Sequence, residues 1–86
     1  MRLTWNERGW EDLESWFGDY RMLRRINLIL NDITRSPYHG IGRPEELKHD
    51  LSGWWSREID AKNRIVYKVE NGVIHISGCR GHYNDK

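Results

Sequence analysis

Asn71-Gly72 most constrains the fold of this chain. The pair stands between two short runs of alternating apolar residues. One covers 64–70, with Ile65, Tyr67 and Val69 on one side. The other covers 73–80 and contains Val73, Ile74 and Ile76. An Asn-Gly pair in that position tolerates the positive φ angles of a tight turn, so it predicts a β-hairpin. A third alternating run, 54–60, aligns Trp55, Arg57 and Ile59, and the turn Asp60-Ala61-Lys62-Asn63 leads from it into 64–70. Three consecutive antiparallel strands are expected at the C-terminal end.

The first half has a different period. Residues 2–5 read as a short strand with Leu3 and Trp5 on one face. Asn6 is a good helix N-cap and Glu7 suits the first turn. Trp10, Leu13, Trp16 and Phe17 then recur at helical spacing, which predicts a helix over 7–17 that Gly18-Asp19 ends. A second helix is expected over 20–35, with the stripe Met22, Ile26, Ile29, Leu30 and Ile33, and Ser36-Pro37 stops it. Residues 37–53, with Gly40, Gly42, Pro44 and Gly53, read as a long loop. The segregation of helices from strands gives an α+β class: a strand, two helices, then three antiparallel strands.

Eighty-six residues make a single domain, 1–86, with a marginal core that five Trp and four Tyr reinforce. Fourteen basic against thirteen acidic residues leave a formal charge of +1, so composition does not announce a nucleic-acid binder. A local patch of a few Lys or Arg would still suffice for phosphate contact. Arg21, Arg24 and Arg25 lie off the apolar stripe and read either as a solvated face or as a partner contact. The one cysteine, Cys79, lies in an apolar run and reads as a small core residue. No run approaches the roughly 18 apolar residues of a membrane span, and the N-terminus lacks a secretory pattern, so a cytoplasmic protein without membrane contact is expected. No histidine spacing suggests zinc, and no cofactor is expected.

Cleavage of RNA at a 2′-hydroxyl needs a base, cations for the charge growing on phosphorus, and an acid for the leaving 5′ oxygen. The chain carries candidates for all three. Glu45 and Glu46 are alternative bases after Pro44, and the sequence leaves both open. Arg64, at a strand start, is suited to clamp a phosphate through its planar fork. Lys48, Arg57 and Arg80 are further RNA-contact candidates, although Arg57 could equally be a salt-bridge partner. His82 could serve as acid or base, and Tyr83 could stack on a base. Trp54 and Trp55 point to opposite faces of a strand, so one is open to a partner.

An ordered set of motifs then resembles a known family over nearly the whole chain. They are Trp10-Glu11-Asp12, Ser36-Pro37-Tyr38, Gly42-x-Pro44-Glu45-x-Leu47-Lys48, Leu51-Ser52-Gly53-x-Trp55-Ser56-Arg57, Arg64-Ile65-Val66-Tyr67 and Arg80-x-His82-Tyr83. They resemble the YoeB/Txe toxins of the RelE superfamily. That resemblance implies a twisted antiparallel sheet with two helices on one face, similar to microbial ribonucleases. It implies a ribosome-dependent mRNA endoribonuclease, the toxin of a type II toxin–antitoxin pair, acting without metal. It maps the catalytic roles onto Glu45 (base), Arg64 (transition-state stabilisation), His82 (acid) and Tyr83 (mRNA orientation), with Lys48 near the scissile phosphate. Its implied partners are a YefM/Phd-like antitoxin, the ribosome with its mRNA, and a second copy of the chain in a homodimer. The chain departs from the family pattern at Glu58, where many members carry a second arginine, at Gly81, and at Asn84-Asp85-Lys86 beyond the His-Tyr pair. The competing reading is a ribosome- or antitoxin-binding module without catalysis.

Overall fold

The computed structural model describes residues 1–82. In chain order it has β1 (Arg2–Trp5), α1 (Glu7–Ser15), α2 (Tyr20–Arg35), β2 (Glu45–Glu46), a 3₁₀ turn (His49–Leu51), β3 (Trp55–Glu58), β4 (Arg64–Glu70) and β5 (Val73–Gly78). The strands form one five-stranded sheet in the order β1-β5-β4-β3-β2.

Most of this follows from the patterns above. The side chain of Asn6 accepts the Gly9 backbone N–H at 2.7 Å and caps α1. Asp19 caps α2 through the Met22 N–H at 3.2 Å. The α1 helix stops at Ser15, so Trp16 and Phe17 belong to the turn. The apolar stripe of α2 is buried against one sheet face. Ile26, Ile29, Leu30 and Ile33 meet Ile65, Tyr67, Ile74 and Ile76, and Trp16, Ile59 and Cys79 complete the cluster. The Asn71-Gly72 turn joins β4 to β5, with Asn71 at φ 54° and Gly72 at φ 73°.

Two features differ from expectation. The sheet is mixed, because β1 pairs parallel to β5, from Arg2 opposite Val73 to Trp5 opposite Ile76. The two helices and three further strands lie between them in the chain, more than the crossover length that parallel pairing requires. The 37–53 segment is also not all loop. Glu45 and Glu46 add an antiparallel edge strand to β3. Two residues are too few for alternation to reveal a strand, and carboxylates have low strand propensity.

Gly9 has a packing reason. A Cβ there would stand 2.6 Å from the carbonyl oxygen of Ile76. The first turn of α1 therefore lies directly on the β5 backbone, and the Asn6 N–H donates to the same oxygen at 3.1 Å. This contact holds one end of α1 beside the end of β5. No helix among the described residues is long and apolar enough to cross a membrane.

Candidate active site

The α2 stripe covers one face of the sheet, and the opposite face is termed the open face. Facing residues in neighbouring strands share a side, and sides alternate along each strand. Glu46, Trp55 and Tyr67 lie in one row. Tyr67 is in the core, so that row faces the helices. Glu45, Ser56, Val66 and Gly78 form the neighbouring row on the open face. The next open-face row contains Glu58 opposite Arg64. Register thus assigns Glu45 to the open face, whereas Glu46 shares the row of Trp55 and Tyr67.

A cleft of about 140 Å³ lies on that face at the end of β5. Its walls include Arg64, Val66, Ser77, Gly78, Gly81, Arg80 and His82, with Arg8 and Asp12 from α1 and Leu51 from the 3₁₀ turn. Three arginines and a histidine against one aspartate give it a basic lining. The chain reaches this shape through a bulge. Val66 pairs with Gly78 but Tyr67 pairs with Ile76, so Ser77 is the extra residue. A bulge bends the strand and redirects side chains. Beyond it, the Asp12 carboxylate accepts the Cys79 N–H at 3.0 Å, and the Arg64 N–H donates to the Gly81 carbonyl at 3.0 Å. The latter bond sets His82 beside the start of β4.

Arg64 is held closely. Its guanidinium donates to the Asp60 carbonyl at 2.8 Å and pairs with the Glu58 carboxylate at 3.3 Å. Arg80 lies over the ring of Trp16, 4.0 Å from its centroid, and donates to the Ser15 hydroxyl at 2.8 Å. Glu45 and Lys48 are exposed but do not line the cleft. Glu45 stands on the edge strand, two strand spacings or about 10 Å from Val66. Tyr83 lies outside the described residues. Arg8 escaped the sequence reading. Its signal was a cation in the first turn of a helix, where it opposes the macrodipole.

Arg57 is a correction. It was a candidate for RNA contact, and it is completely buried. Its guanidinium pairs with Asp32 at 2.7 Å and donates to the carbonyls of Ser36, His39 and Ile41 and to the Tyr67 hydroxyl. All five donors of a guanidinium can be satisfied only by such a cage. The hydrogen bond from Arg57 holds the Asp32 carboxyl below its usual pKa, against the opposing effect of burial. Burial raises the Tyr67 hydroxyl despite its bond from Arg57. Arg57 thereby ties the segment 36–41 to the sheet. Immediately after it, the Glu58 N–H donates to the Gly42 carbonyl, two residues before Pro44. The cage fixes the approach to Glu45 without touching a ligand.

Cys79 is fully buried, and burial pushes its thiol up to about 12, as a core residue rather than a nucleophile requires. Among the described residues, no group of three or more His, Cys, Asp or Glu could hold a metal ion.

Known proteins resemble this chain in both sequence and fold. A family model described as "YoeB-like toxin of bacterial type II toxin-antitoxin system" matches residues 5–83. Toxin YoeB of Escherichia coli K12 is 44% identical over 84 residues, covering 96% of this chain and all of the relative. Toxin YoeB of Streptomyces coelicolor is 46% identical over the same length, with the same coverage. A YoeB/ParE toxin from Agrobacterium tumefaciens superposes with a TM-score of 0.91 at 41% identity, over 96% of this chain and 100% of that one. A toxin in a heterotetrameric YoeB-YefM toxin–antitoxin complex from Staphylococcus aureus gives 0.88 at 36%, over 96% and 98%. At 8% identity, YafQ from E. coli shares the fold with a TM-score of 0.79. On the strength of the family model and these full-length relatives, the chain belongs to the YoeB-like toxins of bacterial type II toxin–antitoxin systems.

Proposed function

We propose that this toxin is a ribosome-dependent mRNA endoribonuclease that cuts the A-site codon by metal-independent acid–base chemistry. Glu45 removes the 2′ proton, Arg64 stabilises the charge growing on the phosphorane oxygens, and His82 protonates the leaving 5′ oxygen. Lys48 and Arg80 assist with phosphate contact, and Tyr83 orients the mRNA. The products are a 2′,3′-cyclic phosphate and a 5′-hydroxyl. The antitoxin that restrains it is YefM/Phd-like, as in the Staphylococcus aureus complex. Homodimerisation follows the S. aureus YoeB dimer.

The observation that carries this reading is the open-face arrangement. Glu45 enters from β2, Arg64 stands on β4, and His82 follows β5. A base and an acid on either side of a phosphate-binding arginine is the order that in-line displacement needs. Near-neutral overall charge favours a ribosome-bound substrate over free RNA, because the chain has little field of its own to gather RNA.

The test is primer extension on mRNA positioned in purified ribosomes with an empty A site. Wild type is expected to give a new end within the A-site codon, and naked mRNA none. His82→Ala and Arg64→Ala should each reduce cleavage at least a hundredfold, the range for losing a general acid or a transition-state cation. Undiminished cutting by both variants would overturn the mechanism. Ribosome binding without new ends would leave a binding module.

A further inference from the structure

A second cleft, of about 420 Å³, lies on the same open face and is not used in the chemistry above. Its floor is one row across the sheet. Lys68 of β4 faces His75 of β5, which faces Thr4 of β1. Trp54, just before β3, completes the row, with the Lys68 ammonium 5.8 Å from the centroid of its ring. Trp5 and Asn6 form the wall at the β1 end.

We propose that this cleft is a subsite for the base of a nucleotide next to the scissile one, with Trp54 as its stacking platform. The inference rests on the endoribonuclease reading and extends its substrate contacts. Position is the first reason. Lys68 lies two residues along β4 from Val66, which lines the first cleft, so the nearest edges of the two clefts are about 7 Å apart on one face. One nucleotide of an extended strand spans that distance. Chemistry is the second. Trp54 is half-buried, which fixes the ring while leaving a surface for stacking. An aromatic face beside a cation is the usual means of holding single-stranded nucleic acid.

The charges select a base over a phosphate. Glu70 also lines the cleft, and its carboxylate stands 3.8 Å from the Lys68 ammonium. That carboxylate would repel a phosphate placed on Lys68. A neutral base meets no such penalty, and the lysine stem adds apolar contact. His75 supplies a polar group at the far end. Its Nδ1 is bonded to the Thr4 hydroxyl at 2.9 Å, which orients the ring and leaves Nε2 for a base edge.

The test separates binding from cleavage. A 2′-O-methyl hexaribonucleotide, which cannot be cut at any position, is titrated into the full-length toxin, and the Trp54 indole and His75 ring signals are followed by NMR. Both signals are expected to shift together and to saturate. Lys68→Ala should weaken binding at least threefold and Trp54→Leu at least fivefold. His75→Leu, which keeps an apolar residue in the strand, should weaken it twofold or more if Trp54→Leu fails to fold. On programmed ribosomes, the same variants should raise the toxin concentration needed for half-maximal cleavage while leaving the saturated rate within threefold of wild type. A wild type that binds the oligonucleotide at Trp54 yet cuts nothing would remove the endoribonuclease reading and retain the subsite. Shifts confined to the His82 cleft, or variant affinities equal to wild type, would overturn the subsite. So would shifts at Trp54 and His75 that follow protein concentration in the absence of RNA, because these would assign the cleft to a second copy of the chain.

Discussion

Arg57→Ala is expected to destabilise the toxin by about 3–4 kcal/mol, a large fraction of the stability of a domain this size. Removing one partner of a buried ion pair typically costs about 3–5 kcal/mol, because the other charge is left behind. Here the lower half applies. Asp32 keeps the Ile41 N–H at 3.1 Å and the Arg35 guanidinium at 3.5 Å. Its side chain also retains 17% exposure, so water reaches it. The carbonyls of Ser36, His39 and Ile41 lose their donor but belong to exposed residues that can turn to solvent. Arg57→Lys keeps the charge without the fork and should cost about half as much.

The assay is urea denaturation followed by circular dichroism, with thermal melting alongside. At this size each 1 kcal/mol corresponds to about 4–8 °C, so Arg57→Ala should lower the midpoint by about 12–32 °C. An arginine that only contacts RNA predicts the opposite pattern: unchanged melting and impaired cleavage. A stability loss under about 1 kcal/mol, the range of ordinary surface substitutions, would therefore refute the anchor argument. Limited trypsin digestion gives a second view. Loss of the cage should speed cleavage after Arg35, which is exposed and directly precedes the tied segment.

Three further outcomes follow from the same structure. Glu58→Gln should raise single-turnover cleavage at subsaturating toxin about twofold, because it frees Arg64 from a partly exposed ion pair of about 0.5 kcal/mol; an unchanged or lower rate would count against Glu58 as a competitor of the phosphate. Gly9→Ala should lower urea stability by about 2 kcal/mol despite better helix propensity, because the added methyl meets the Ile76 carbonyl; a stabilised variant would contradict that close approach. Acid should unfold the chain once the pH falls below about 4. Asp32 is lowered chiefly by its Arg57 bond, and Asp60 is lowered because N–H groups of Lys62 and Asn63 outweigh burial. A carboxyl whose folded pKa lies below its unfolded one contributes fully above the unfolded value and loses that contribution as pH falls through the folded one. Asp32→Asn should flatten this acid limb, and an unaltered limb would remove Asp32 as its cause.

The element order was legible because each signal was local. The Asn71-Gly72 turn, the Asn6 cap and the α2 stripe each specify their own few residues, and they agree with one another. What was not legible depends on partners distant in sequence. The parallel pairing of β1 with β5 joins residues about seventy positions apart, and neither strand advertises the direction of its neighbour. The role of Arg57 is of the same kind. On a strand with Trp55 and Ile59 it looks like one charge in an amphipathic run. Only the return of 36–41 over the sheet supplies the carbonyls and the carboxylate that make its burial tolerable.

The base candidates show most clearly why the site needed register as well as motif. Glu45 and Glu46 have the same chemistry, are both exposed, and follow the same proline. Their difference is parity on a two-residue strand. Pairing Glu45 with Ser56 puts it in the row of Val66, on the face that holds Arg64 and His82. Sliding β2 by one residue would exchange the two carboxylates between faces. Register is fixed here by the Glu58–Gly42 hydrogen bond on one side and by the Leu47 N–H, which donates to the Trp54 carbonyl at 2.9 Å, on the other. Leu47 is buried, so a slip would also expose its side chain. The apolar residue beside the glutamates and the buried arginine behind them therefore set which glutamate shares the sheet face of the cleft.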